Sequence, residues 1–213
     1  MIAVICGSTG LVGSLLITKL LADNAITKVI SITRKSLNLN HAKLQEVLIP
    51  DLSQIPNHMN ELEGDIYFCC LGTTIKDAGT KENFKKVDFD AIVNFGKVAE
   101  THKAQSFVLI SASMANPRSN VYYTKIKGET EAALLELTLN RLIIFRPGLL
   151  IGERKTSRPA ERISIGIMKA LSLILPSRLE KTMATSIDVL AGRMLKEAKN
   201  PAHKIKIINA VDI

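Results

Sequence analysis

The sequence predicts an α/β protein, a single domain with a doubly wound parallel sheet and a small C-terminal cap. Three observations predict it. Short, continuously apolar runs alternate with amphipathic helical stretches from Ile2 to Phe145, as in a parallel sheet buried on both faces. Gly7, Gly10 and Gly13 recur at three-residue spacing between the first apolar run and the first helical stretch. The length, 213 residues, suits one domain, because cores tend to split only beyond about 250 residues.

Ile2 to Cys6 is short and apolar, which suits a buried first strand. Leu15, Leu16, Ile17, Leu20 and Leu21 give the following stretch an apolar helical face. Lys28 to Thr33 reads as a second strand, Leu44 to Ile49 as a third, and Asp65 to Cys70 as a fourth. A long helix is expected from about Glu82 to Thr101, with Phe84, Val87, Ile92, Phe95 and Val98 on one face. Ser106 to Ile110 is a fifth strand, Val121 to Leu139 a second long helix, and Arg141 to Phe145 a sixth strand. Six such strands with a glycine turn after the first predict a Rossmann-like fold. Beyond Pro147-Gly148 the pattern changes. Glu153 to Pro159 is a polar loop, Ala160 to Leu175 an apolar helix stopped by Pro176, Ile187 to Lys199 a helix, and Lys204 to Ile208 a last short strand. Residues 148–213 are too few for a separate substrate domain, so they are expected to include a cap over the cofactor cleft. Ile163, Ile165, Ile167, Met168 and Leu171 could wall a pocket or fill a core; the core reading is preferred.

Strand, glycine turn and helix in that order form the context of a dinucleotide site. Gly7 permits a tight turn, Gly10 leaves room for a pyrophosphate, and Gly13 lets the helix pack close to its strand. The free N–H groups of the first helical turn then face the phosphates. Gly7, Ser8, Thr9, Gly10, Leu11, Val12 and Gly13 are therefore candidate cofactor residues. A plain strand-to-helix turn with incidental glycines is the competing explanation.

Composition narrows the function classes. Lys and Arg number 28 against 20 Asp and Glu, a formal charge of +8, but they are spread along the chain in nothing longer than dipeptides. Aromatic residues are scarce and Trp is absent, which is poor material for stacking nucleic-acid bases. No apolar run reaches the roughly 20 residues of a membrane span. Cys6, Cys69 and Cys70 are odd in number and read as buried fillers, neither bridged nor catalytic. His41, His58, His102 and His203 are scattered, and no metal-ligand spacing is present. The N-terminus lacks a secretory signal, so a cytoplasmic protein is expected.

The second strand ends in Arg34-Lys35, where dinucleotide folds that select NAD carry an acidic residue. A planar cation there suits a 2′-phosphate, so NADP(H) is expected over NAD(H). Asp51 and Leu52 after the third strand, and Leu71, Gly72 and Thr73 after the fourth, are further candidate cofactor residues, because ligands lie outside the carboxyl ends of such strands. Tyr123 and Lys127 share a helix face at i, i+4 spacing. A nearby ammonium lowers the pKa of a phenol, so Tyr123 could exchange a proton with a carbonyl or alcohol, and Lys127 could also hold a ribose. A serine hydroxyl would complete the site by bonding the substrate oxygen. Ser111 is preferred, and Ser113 stays open.

Phe68-Cys69-Cys70-Leu71-Gly72-Thr73-Thr74, Tyr123-x-x-x-Lys127-Gly128-Glu129 and Phe145-Arg146-Pro147-Gly148 with Arg154 and Ser157-Arg158-Pro159 carry a resemblance. The chain resembles the atypical short-chain dehydrogenase/reductases, and more narrowly the Tat-interacting-protein-2-like (CC3) oxidoreductases, nearly end to end. The resemblance implies an NADP(H)-binding protein with Tyr123 as proton donor or acceptor and Lys127 as its partner. It implies that Pro147, Gly148, Leu149 and Leu150 border the nicotinamide, with Arg154 and Arg158 on the substrate side. The family often has adjacent serines after the fifth strand, where this chain reads Ser111-Ala112-Ser113, and often an extension before the first strand, which is expected to be absent here. The expected function is an NADP(H)-dependent oxidoreductase interconverting a small-molecule carbonyl and alcohol. The alternative is a redox-poor NADP(H) sensor acting through a protein partner. Retention of Ser, Tyr and Lys together favours catalysis, since a sensor needs no proton donor.

Overall fold

The structure, a computed structural model, describes residues 1–152 and 184–213. Seven parallel strands form the central sheet. In chain order they are β1 (Ile2–Cys6), β2 (Lys28–Thr33), β3 (Leu44–Leu48), β4 (Ile66–Cys69), β5 (Ser106–Ile110), β6 (Leu142–Arg146) and, near the C-terminus, β9 (Ile205–Asn209). Their spatial order is β3-β2-β1-β4-β5-β6-β9. The order reverses at β1, and the crevice at that point is where ligands bind in doubly wound sheets.

Strand alternation divides the core. Val4 and Cys6 of β1 face the layer that holds Ile55, Phe95 and Leu134, while Ala3 and Ile5 face the layer that holds Leu16, Leu190 and Met194. The inner strands β2, β1, β4, β5 and β6 bury both faces, which is why their sequences are largely apolar instead of alternating, whereas the edge strands β3 and β9 are partly exposed. The second layer is built by α1 (Leu11–Ala22) against α6 (Ile187–Ala198). Arg141 fixes the end of α6 by donating to the carbonyls of Glu197 and Ala198, and to that of His203 beyond them (3.0–3.1 Å).

Among the described residues the expected elements are present, some with shifted ends. The helix expected from Glu82 to Thr101 is three segments: α3 (Lys81–Lys85), a π-helical stretch (Lys86–Ala91) and α4 (Ile92–Thr101). The helix expected to run to Leu139 is α5 (Tyr122–Leu135). A 3-10 helix, Leu52–Glu61, and the short α2 (Ile75–Ala78) are not read from the sequence: the first has only Leu52, Ile55 and Met59 on its apolar side with Pro56 inside it, and the second is a single turn. The small parallel pair of β7 (Leu149–Ile151) with β8 (Ala184–Ser186) is not read from it either.

The stretch expected to hold the cap divides in two. Residues 184–213 belong to the main layers, with α6 on α1 and β9 beside β6. The expected polar loop with Arg154 and Arg158 and the apolar helix from Ala160 lie outside the described residues. Among the described residues, no helix is long and apolar enough to cross a membrane.

Candidate active site

The chain leaves β1 through Gly7, whose φ of +88° is a left-handed conformation that favours glycine. A Cβ on Gly7 would lie 2.6 Å from the Cys70 carbonyl group, so the turn is pressed against the end of β4. A Cβ on Gly13 would overlap the Gly7 carbonyl oxygen, which is the close helix–strand approach expected of the third glycine. Ser8 is buried beneath the turn, its hydroxyl 2.7 Å from that of Ser31 on β2.

Above the turn lies a cavity of about 410 Å³. Among its walls are the expected Gly7, Thr9, Gly10, Arg34, Leu52, Leu71, Gly72 and Thr73. Asp77, Asn83 and Val87 also line it, from α2, α3 and the π-helical stretch, and sequence reasoning missed them. An adjoining cavity is lined by Thr9, Arg34, Lys35, Ser36, Asn38 and Pro50, with no carboxylate among them. Other expected cofactor residues are placed differently. Val12 and Gly13 are buried in α1, and Leu11 packs against the core. Asp51 is exposed and caps the 3-10 helix, accepting from the Ser53 N–H at 2.9 Å.

Beside Gly72 stands α5. The Lys127 Nζ would lie 3.6 Å from a Cβ on Gly72. Lys127 is buried and makes an ion pair with Asp88 Oδ1 at 2.7 Å. Asp88 Oδ2 accepts from the Thr73 N–H at 2.9 Å. Tyr123 is half-buried, its ring 5.8 Å from that of Phe84 on α3. The neighbouring Tyr122 donates to the Lys81 carbonyl at 3.1 Å, which pins the start of α5 to α3.

Electrostatics corrects one expectation. Burial pushes the Tyr123 hydroxyl above the ordinary phenol range. Lys127 pulls it down as expected, but Asp88 adds to the rise. Burial disfavours the Lys127 ammonium, yet Asp88, Tyr123 and Cys69 outweigh it and hold its pKa well above the usual lysine value. Lys127 is therefore a fixed cation.

Ser111 follows β5, its N–H bonded to the Phe145 carbonyl at 2.7 Å. Its Oγ is buried with no hydrogen-bond partner among the described residues, which is uncommon for a buried hydroxyl. Ser113 is also buried and donates its N–H to the Pro147 carbonyl at 2.9 Å. Gly148 donates its N–H to Thr185 Oγ1, and Leu149 and Leu150 lie in β7. Pro147 and Gly148 thus meet the serine loop, but none of 147–150 lines the 410 Å³ cavity. Among the described residues no group of His, Cys, Asp and Glu is arranged to hold a metal ion.

Asp88 was missed in the sequence, although it left a signal. It sits four residues after Phe84 and four before Ile92, a carboxylate in the middle of an apolar helical stripe.

The profile of the NAD dependent epimerase/dehydratase family matches residues 3–186. "Protein fmp52, mitochondrial" of Emericella nidulans is 35% identical over 190 residues, covering 86% of this chain and 81% of that protein. "Protein HTATIP2" of Rattus norvegicus is 34% identical over 160 residues, covering 74% and 66%. The Bordetella bronchiseptica enzyme WbmH, solved in complex with NAD+, superposes with a TM-score of 0.70 at 18% identity, covering 98% of this chain and 74% of that one. At that identity the likeness speaks for the fold. The cytoplasmic expectation does not stand, because relatives from three fungi are named mitochondrial. Three free cysteines do not tell one compartment from another. The chain belongs to the NAD dependent epimerase/dehydratase family, and within it to the Tat-interacting-protein-2-like oxidoreductases that include HTATIP2 and the FMP52 proteins.

Proposed function

We propose that this protein is an NADP(H)-dependent oxidoreductase that interconverts a carbonyl and an alcohol, with Tyr123 as proton donor and acceptor. The observation that carries the reading is the approach of Lys127 to Gly72 in the wall of the glycine-floored cavity, with Tyr123 one turn back on the same helix. The cavity fits a dinucleotide on two counts: its floor is kept open by glycines, and its rim carries Arg34 and Lys35 beside hydroxyl and amide groups. Arg34 offers a charge-assisted contact to a 2′-phosphate, which supports NADP(H) over NAD(H).

The bound dinucleotide supplies or accepts the hydride. Tyr123 gives a proton to the carbonyl oxygen in reduction and takes it back in oxidation. Lys127 offsets the negative charge left on the phenolate. The unpartnered Ser111 hydroxyl is the group available to bond the substrate oxygen, with Ser113 two residues further along the same loop.

Fluorescence titration with NADPH and NADH tests the cofactor choice. NADPH should bind more tightly, and Arg34→Ala should narrow the gap by roughly ten- to hundredfold, the weight of one charged phosphate contact. Equal affinity of the unaltered protein for both would reject NADP selectivity. A panel of carbonyl compounds with NADPH tests the reaction. No turnover on any of them, with NADPH instead altering binding to a protein partner, would replace this reading by that of a sensor.

A further inference from the structure

Asp88 is fully buried. An isolated carboxylate in such a place is costly, so its partners matter. Oδ2 accepts from the Thr73 N–H at 2.9 Å, and Oδ1 lies 2.7 Å from Lys127 Nζ, an ion pair without hydrogen-bond alignment. Its backbone lies in the π-helical stretch, and its carbonyl receives the Thr130 hydroxyl of α5 at 2.7 Å. Single π turns inside helices recur at functional sites. Thr73 lines the cofactor cavity, whereas Lys127 and Tyr123 are on α5.

We propose that Asp88 is a positioning residue: one carboxylate holds the Lys127 ammonium and the Thr73 amide at once, and so sets the cavity loop and the Tyr123 helix against each other through a single buried charge. The proposal rests on the reading of Tyr123 and Lys127 as the proton-transfer pair. The ionisable groups gathered here are Lys127 and Tyr123 from α5, Asp88 from the π-helical stretch and Cys69 from β4. Burial is the main cause that raises the Tyr123 hydroxyl; Lys127 draws it down, and Asp88 opposes Lys127 there. Burial also raises the Asp88 carboxyl, against the pull of Lys127 and the Thr73 N–H.

The test is the titration of Tyr123 in the whole protein, followed by NMR of tyrosine labelled at Cζ with carbon-13. The chain has three tyrosines, and Tyr67→Phe and Tyr122→Phe assign the signals. In the native protein Tyr123 should titrate above the ordinary value of 10.0. In Asp88→Asn the midpoint should fall from the native one, because the pull of Lys127 is then unopposed, and adding Lys127→Met should raise it again. Loosened packing alone would lower it in a way that Lys127→Met does not reverse, so a midpoint unchanged in Asp88→Asn, or one that Lys127→Met fails to raise, overturns the proposal.

Should the variant fail to fold, the native protein carries a second test. The buried, ion-paired Lys127 ammonium should give a slowly exchanging resonance. A rapidly exchanging ammonium would refute the arrangement. NADPH titration checks the underlying reading separately. A Tyr123 shift without NADPH binding keeps the role of Asp88 and removes the cofactor reading; NADPH binding with an unmoved Tyr123 does the reverse.

Discussion

Arg146, at the end of β6, grips Glu131 on α5 through two nitrogens, with Nε at 3.0 Å from Oε1 and Nη2 at 2.5 Å from Oε2. Glu131 stands one helical turn beyond Lys127, so this ion pair ties the helix that carries Tyr123 to the strand that leads into Pro147-Gly148. The Glu131 side chain is 4% exposed and that of Arg146 27%. Arg146→Met should leave a buried carboxylate unpaired and cost about 3 kcal/mol of stability in urea denaturation. Adding Glu131→Gln should recover part of the loss. A single variant as stable as the parent would show that the pair contributes little.

The three glycines should separate folding from binding. Ala at position 13 would press its Cβ onto the Gly7 carbonyl, so Gly13→Ala should lose about 1–3 kcal/mol together with NADPH binding. A Cβ on Gly10 meets the Gly7 oxygen at 3.2 Å and the Cys70 oxygen at an ordinary 3.9 Å, and Gly10 lines the cavity. Gly10→Ala should therefore unfold within a few degrees of the parent while its NADPH affinity falls by at least roughly tenfold, the equivalent of ~1.4 kcal/mol. Thermal unfolding and fluorescence titration read the two quantities. Unchanged NADPH affinity in Gly10→Ala would move the pyrophosphate away from this turn.

Tyr123→Phe keeps the ring against Phe84 but removes the transferable proton. On a verified substrate it should lower turnover by roughly 10²–10⁴-fold with NADPH affinity nearly intact. Lys127→Ala should reduce both, because it also strands the buried Asp88 carboxylate beside the cavity. Full turnover by Tyr123→Phe would assign proton transfer to another group.

Alkaline pH should weaken the fold through its buried thiols. Burial pushes Cys69 from the ordinary 9.0 up to about 12, and drives Cys6 and Cys70 well above 9.0 as well. Between these limits the unfolded chain has already lost thiol protons that the native one retains. Stability is thus fully present below pH 9.0 and falls as pH rises from there toward about 12. Tyr67, also raised by burial, acts in the same direction. Urea midpoints measured across this range should decline, and Cys69→Ala should flatten the decline. The same burial predicts slow alkylation of Cys6 and Cys69 in the native protein at neutral pH.

Much of the site was legible because its signals are local. The spacing of Gly7, Gly10 and Gly13 follows directly on an apolar strand, and the structure puts Gly7 and Gly13 at the two tightest approaches of the turn. Arg34, at the end of β2, lines both cavities as its place in the chain implied. Tyr123 and Lys127 share a face because helix geometry alone requires it. Asp88 was overlooked because an acidic residue on a helix is ordinarily solvated, and nothing nearby in sequence names Lys127, thirty-nine residues on, as its partner.

The sequence by itself determined the alternation of strand and helix, the glycine turn, and the residues clustered at the carboxyl ends of the strands. These follow from side-chain periodicity and backbone sterics over a few residues. Only the tertiary structure decided that β9 lies beside β6, that Asp88 and Glu131 receive Lys127 and Arg146, and that burial raises the Tyr123 hydroxyl. Such outcomes depend on desolvation and charge pairing between segments far apart in the chain, and those energies exist only once the segments have packed.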